Sequence, residues 1–268
     1  MPEYGATERA ALARTAAVAG GDVARKSFRT GVAVETKAGK TDVVTEADRA
    51  AQREVGSVIR EARPEEAIVG EEGDAMKSVP ETGPAWVVDP IDGTNSYVRE
   101  LTTWATAVGC VVDGEPVAAC NALPAMDDVY TADGDAAYRN GTEISVSSVT
   151  DPERAAVVPT VWWPRERRDE YARACEAIVT RFGDLRRPGS AQAALAMVAA
   201  GSVEGVITNV QTKPWDTISG VHLVRLAGGK VTDLEGERWH HEARGLVVSN
   251  GELHEEMLAA AQEIDDAV

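Results

Sequence analysis

The stretch Trp86-Val87-Val88-Asp89-Pro90-Ile91-Asp92-Gly93-Thr94-Asn95 decides how the rest of the chain is read. An apolar strand delivers Asp89 at its end, Pro90 turns the chain, and Asp92 follows three positions on. Gly93 relieves the backbone, and Thr94-Asn95 opens a helix. Two carboxylates in one turn form a hard-oxygen nest suited to magnesium, and the amides of Gly93 and Thr94 can donate to phosphate oxygens. The same residues also read as an ordinary helix start with Asp92 as its cap.

Further carboxylates flank this stretch. Upstream, Ile68-Val69-Gly70-Glu71-Glu72-Gly73 is a second apolar strand ending in acid. Downstream, Lys213-Pro214-Trp215-Asp216 precedes an apolar helix with Ile218, Val221, Leu223 and Val224. Each has a plain reading as well: Glu71 as a solvated strand end, Asp216 as a helix cap, and Thr45-x-x-Asp48 as a capping box. Haloacid-dehalogenase-type chemistry is excluded by register, because its paired aspartates are separated by one residue and Asp89 and Asp92 by two. No Ser-His-Asp grouping competes. His222, His240, His241 and His254 all fall late in the chain, and His240-His241 lacks zinc spacing.

Outward from the motif, the spacing predicts a first helix over the opening 30 residues, capped by Thr7, with Leu12, Ala16, Ala19 and Val23 on one face. A polar stretch through Lys37, Gly39 and Lys40 follows. Thr45 opens a second helix carrying Ala47, Ala51, Val55, Val58 and Ile59, which stops before Pro64. Strands are expected at 67–69, 86–88, 105–112, 117–119 and 129–132. Asp113-Gly114, Asp133-Gly134 and Asn140-Gly141 punctuate the later ones as antiparallel hairpins. The second half alternates: strand 156–158, helix 165–182, helix 190–200, strand 206–208, helix 217–226, strands near 231 and 246–248, and a helix after Asn250. This is an α+β pattern of two joined lobes, residues 1–145 and 146–268.

Composition narrows the function classes. The chain has 268 residues and a formal net charge of −17, from 44 Asp+Glu against 27 Lys+Arg. Such a surface repels nucleic-acid backbones and anionic membranes, so neither is an expected partner. No segment has the roughly 18–20 apolar residues of a bilayer span, and MPEYGATERA is not a signal peptide. Three cysteines build no disulfide framework, which points to a reducing cytoplasm. Only six basic residues are Lys (26, 37, 40, 77, 213, 230). Acid excess with scarce Lys suits a very salty cytosol, or a GC-rich genome.

The conjunction is more specific than any part. Thr45-Glu-Ala-Asp48, Gly70-Glu71-Glu72, Asp89-Pro-Ile-Asp92-Gly-Thr94 and Trp215-Asp216 occur in the order seen in the inositol monophosphatase family, magnesium-dependent, lithium-sensitive sugar phosphatases. The chain resembles that family from about Lys37 to Asp233, including Asn140–Ser147, Gly189-Ser190-Ala191 and Gly228-Gly-Lys-Val-Thr-Asp233. The resemblance implies a layered α/β/α/β/α fold, a homodimer, and two or three Mg2+ ions. Glu71, Asp89 and the Ile91 carbonyl would hold the first ion; Asp89, Asp92 and Asp216 would hold the second. Thr94 and Asp48 would orient a water, with Glu71 as base, for direct in-line attack without a phosphoenzyme. Lys37, or equally Lys40, would lie close by. Asp92, Gly93, Thr94, Gly189, Ser190, Asn209, Arg187 and Asp216 would face the substrate.

Three departures bear on substrate rather than on metal. Asn209 stands where inositol-specific members often carry an acid, Cys120-Asn-Ala-Leu-Pro124 replaces a Gly and aromatic-Asn-Pro run, and Asp135-Ala-Ala137 replaces a Gly-Ala pair. The basic island Trp162-Trp-Pro-Arg165-Glu-Arg167-Arg168, with Arg186-Arg187, reads either as a solvated helix start or as a second phosphate pocket. The leading expectation is hydrolysis of inositol monophosphate. Fructose 1,6-bisphosphate comes next, then a nucleotide 3′-phosphate; a silent sugar-phosphate-binding homologue is the non-enzymatic alternative.

Overall fold

The structure, a computed structural model, describes residues 5–31, 34–36, 43–161 and 163–265, so Lys37, Lys40 and Trp162 lie outside it. The elements are α1 (Ala6–Ser27), β1 (Val34–Thr36), β2 (Val43–Thr45), α2 (Glu46–Ala62), β3 (Ala67–Gly70), β4 (Pro84–Asp92), α3 (Thr94–Val98), β5 (Ala105–Val112), β6 (Glu115–Leu123), β7 (Asp128–Ala132), β8 (Ala137–Arg139) and β9 (Thr142–Ile144). They continue as β10 (Ala156–Pro159), α4 (Arg168–Arg181), β11 (Asp184–Leu185), α5 (Ala191–Ala199), β12 (Gly205–Gln211), α6 (Pro214–Leu226), β13 (Lys230–Thr232), β14 (Arg244–Ser249) and α7 (His254–Asp265).

Strands β3 to β9 form one sheet in sequence order, parallel at β3–β4 and antiparallel beyond. All three expected hairpins form, and two of them close on tight two-residue turns, while Asp133-Gly134 lies in a four-residue connection. Asp113-Gly114 and Asn140-Gly141 both have two consecutive positive φ angles (51° and 80°, 50° and 79°), the twist that closes a two-residue hairpin. The second sheet runs β11-β10-β12-β14-β13.

Helices α1 and α2 cover one face of the first sheet; α5 and α6 lie between the two sheets; α4 and α7 cover the outer face of the second. The stack is therefore α/β/α/β/α. Its central apolar cluster draws on both sheets, joining Val87, Leu123 and Tyr130 to Leu195, Leu223 and Val248. His254, at the start of α7, is buried between the hydroxyls of Thr232 and Ser249, each at 2.9 Å.

Two local expectations need correction. Helix α1 starts from Gly5, not Thr7, and its buried stripe is Ala13, Ala16, Ala17, Gly20, Gly21 and Ala24, with Leu12, Ala19 and Val23 only half-buried. The cause is close approach: a Cβ on Gly20 would sit 2.4 Å from Val55 Cγ2 of α2. Small residues are what this contact selects, and a reading based on larger apolar side chains is rotated off the true face.

Pro90 does not end its strand. β4 runs on to Asp92, with Asp89 opposite Ala107 and Asp92 opposite Ala105. Three steps on β4 therefore match two on β5, which is a bulge of one extra residue. The bulge falls where Pro90 has no N–H to donate, and the freed Pro90 carbonyl accepts from the buried Thr106 hydroxyl at 2.7 Å.

Candidate active site

The bulge determines the chemistry of the site. In a regular strand, residues three apart point to opposite faces; the extra residue in β4 turns Asp89 and Asp92 to the same side. Gly93 then adopts φ 91°, where a Cβ would lie 3.0 Å from the Gly189 carbonyl oxygen and 3.0 Å from Ser190 Cβ. Thr94 begins α3 immediately after it.

Asp216, in the first turn of α6, completes the group: carboxylate oxygens of Asp89, Asp92 and Asp216 lie within 4.8 Å of one another. They meet at a cleft of about 940 Å³ whose lining includes Glu71, Gly93, Thr94, Gly189 and Ser190. Asp89 lies beneath it, 2% exposed.

Burial, reinforced by the neighbouring carboxylates Glu71, Asp92, Asp216 and Asp48, drives the Asp89 pKa well above the ordinary aspartate range. Asp216 is raised in the same way by burial, Asp92 and Glu71, against a weak opposing bond from the Lys213 amide. Asp92 is raised only to about 6, because its burial is opposed by hydrogen bonds. Its Oδ2 accepts from the Ser190 hydroxyl and the Gln192 amide, each at 2.5 Å, at the start of α5.

One atom in this group has no partner: Asp89 Oδ1 is fully buried and makes no hydrogen bond. A buried carboxylate oxygen without a donor costs several kcal/mol unless a cation or proton meets it. Three crowded carboxylates with one orphaned oxygen are a hard-oxygen donor set, and they fit a divalent cation.

Asp48 forms the expected capping box and also meets Thr94. Its Oδ2 closes the capping box of α2 with the Thr45 amide (2.8 Å) and hydroxyl (2.6 Å), while Oδ1 faces the Thr94 hydroxyl at 3.1 Å. Burial raises its pKa and the Thr45 bonds partly offset that rise. The Thr94 hydroxyl also lies 3.0 Å from the Ile91 carbonyl.

With that geometry in place, comparison with known proteins is decisive. The inositol monophosphatase family model matches residues 6–266. The chain belongs to the inositol monophosphatase family. It is 33% identical over 236 residues to the fructose-1,6-bisphosphatase/inositol-1-monophosphatase of Thermotoga maritima, covering 88% of each chain. To the protein of the same name from Aquifex aeolicus it is 34% identical, covering 94% of each. A solved inositol monophosphatase of Thermotoga maritima superposes with a TM-score of 0.88 at 30% identity, over 97% of this chain and 99% of that one. The protein is accordingly a phosphatase, a phosphoric monoester hydrolase, in a metal-dependent family.

One expected substrate contact is not where the inositol monophosphatase pattern suggested. Asn209 is fully buried and does not line the cleft; its Oδ1 accepts from the Trp163 indole at 2.7 Å and its Nδ2 donates to Glu170 at 2.6 Å. Glu170 in turn forks with Arg167, which does line the cleft together with Arg168 and Arg187. Arg187 lies over the Tyr171 ring at 5.7 Å, and Tyr171 stacks on Trp163.

Two contributors carry no motif. Lys77 donates to the carbonyls of Gly70 and Glu71, both at 2.9 Å, and stands 5.8 Å over the Trp215 ring. Gln192 is fully buried between α5 and α6. A lysine six residues beyond Glu71 and a glutamine inside an Ala-rich helix are the only sequence signals either one leaves.

Proposed function

We propose that the protein is a cytoplasmic, magnesium-dependent phosphomonoesterase that hydrolyses inositol monophosphate, with fructose 1,6-bisphosphate as a second substrate. The observation that carries the metal reading is the orphaned Asp89 Oδ1 among carboxylates held within 4.8 Å. Glu71, Asp89, the Ile91 carbonyl, Asp92 and Asp216 are the proposed ligands of two Mg2+ ions, with a third, weaker one proposed near Glu71. When bound, such ions offset the charge of a phosphate ester and acidify a water.

The protein's own groups supply positioning. Asp48, already accepting two bonds from Thr45, also accepts a hydrogen bond from the Thr94 hydroxyl, which leaves the Thr94 oxygen to accept from a water. Glu71 lines the cleft and is the proposed base. The open turn of Gly93 and Thr94, and the Gly189-Ser190 backbone, are the proposed phosphate and substrate contacts. Asp92 and Asp216 flank the leaving-group oxygen.

The bisphosphate reading has its own support. Arg167, Arg168 and Arg187 line the same cleft as the carboxylates, and both bacterial relatives named above carry the bisphosphatase name. A sugar phosphate bearing a second anionic group would meet them. The test is phosphate release from both esters in one assay with Mg2+ varied. Turnover of both supports the dual reading; turnover of neither at any Mg2+ level refutes it.

A homodimer and a salt-adapted surface complete the proposal. Light scattering at the mass of one chain would refute the first. For the second, the −17 net charge predicts a melting temperature that climbs from low to molar KCl, and a flat profile would refute it.

A further inference from the structure

We propose that Gln192 is a positioning residue that sets the separation of Asp92 and Asp216, and thereby the affinity of the cation they share. The proposal rests on the metal reading above and on contacts that converge on this one residue. The main-chain N–H of Gln192 donates to Asp92 Oδ2 at 2.5 Å. Its side-chain Nε2 donates to the Trp215 carbonyl at 2.7 Å, and Oε1 accepts from the Gly220 amide at 2.8 Å. Trp215 immediately precedes Asp216, and Gly220 lies one helical turn beyond it. One residue thus holds one aspartate through its backbone and the segment bearing the other through its amide.

The amide orientation is forced. The Trp215 carbonyl can only accept and the Gly220 N–H can only donate, so nitrogen and oxygen cannot exchange places. Asn121 of β6 locks the arrangement from behind: its Nδ2 donates to Gln192 Oε1 (2.9 Å) and to the Gln192 carbonyl (3.1 Å). The Ser219 hydroxyl donates to Asn121 Oδ1 at 2.6 Å. Asn121, Gln192 and Ser219 are all buried, and a Cβ on Gly220 would lie 2.9 Å from Gln192 Oε1. A buried network in which each of these side-chain atoms has a partner restricts the geometry, which is what a ligand pair from two different elements requires.

The test is direct Mn2+ binding to metal-stripped protein, followed by electron paramagnetic resonance, alongside thermal melts without metal. Gln192→Met keeps the volume and removes the amide; it should weaken Mn2+ binding about tenfold. The Mg2+ concentration for half-maximal activity should rise in step, while KM for the ester at saturating Mg2+ stays within twofold. Ser219→Ala deletes only the hydroxyl behind Asn121 and should weaken Mn2+ binding about two- to threefold, deciding the matter if Gln192→Met does not melt cooperatively. Folded variants that bind Mn2+ as the unmodified protein does overturn the proposal alone. If the unmodified protein binds no Mn2+, the metal reading falls and this proposal with it.

Discussion

The cleft has two unlike walls. On one, Asp89 and Asp92 are buried, Asp216 is half-buried, and the bulge of β4, the start of α5 and the first turn of α6 set their positions. On the other, Arg167, Arg168 and Arg187 are half-buried or exposed, on or beside irregular segments. The acidic wall is placed by main-chain geometry and tight hydrogen bonds, and its unfavourable electrostatics are accepted in the metal-free state. The basic wall is placed by long side chains that solvent screens. Tight placement lies where charge must be managed within a few ångströms, and looser placement lies on the wall proposed to meet a second phosphate.

The largest effect should come from breaking the rigid wall at its centre. Asp89→Asn is expected to reduce turnover by about 10³-fold or more while leaving a cooperatively folded protein. Its metal-free melting temperature should rise, since one buried charge is gone; activity assays and a melt of the same sample check both halves.

Gly93→Ala comes next. A side chain at φ 91° with two atoms at 3.0 Å must push Ser190 and the Gly189 carbonyl away, at a cost of about 10²-fold in kcat/KM. An unchanged rate would show that the acidic wall tolerates slack.

The basic wall should yield less and more selectively. Arg187→Ala is expected to raise KM for fructose 1,6-bisphosphate about tenfold, the loss of one charge-assisted contact, with KM for inositol monophosphate changed by less than about threefold. Equal losses on both esters would erase the distinction between the walls.

The smallest effect is on stability against pH in metal-stripped protein. Asp92 has a folded-state pKa of about 6, and burial also raises Asp89 and Asp216 well above the ordinary aspartate range. A raised carboxylate pKa means that the folded state holds its proton more tightly than the unfolded one. The associated stability is therefore present below about pH 4 and lost as pH climbs through 6 and above. His254, lowered to about 4 by burial, acts the other way below pH 6.5, so the comparison is made with and without saturating Mg2+. Each kcal/mol appears as about 2–4 °C in melting temperature. A Mg2+-induced shift no larger at pH 8 than at pH 5 would contradict the desolvated-cluster account.

What the sequence disclosed divides along the same line. The hairpins at Asp113-Gly114 and Asn140-Gly141 were legible because their turn chemistry is local. The acidic cluster of Asp89, Asp92 and Asp216 was legible because each sits at the end of an apolar strand or the start of a helix. The true face of α1 was not, because Ala and Gly carry little hydrophobic signal where backbones pack closely. Asn209 was misjudged because its position in the chain does not reveal that Trp163 and Glu170, 46 and 39 residues away, enclose it. Lys77 and Gln192 were invisible for the same reason, since each acquires meaning only from partners brought by tertiary folding.

The single surplus residue in β4 also has a consequence for how such motifs are counted. A β-strand has a parity, and Asp89 and Asp92 share a side only because the bulge shifts that parity between them. Deleting either Pro90 or Ile91 would leave the same two aspartates, the same glycine and the same threonine in the same order. Without its bulge, the shortened ribbon would still pair Asp89 with Ala107 and Asp92 with Ala105 and present both acids to one side, but it would lose one of the two carbonyls, those of Pro90 and Ile91, that face the Thr106 and Thr94 hydroxyls. The surplus residue therefore adds a main-chain oxygen beside the two acids without changing the side they face.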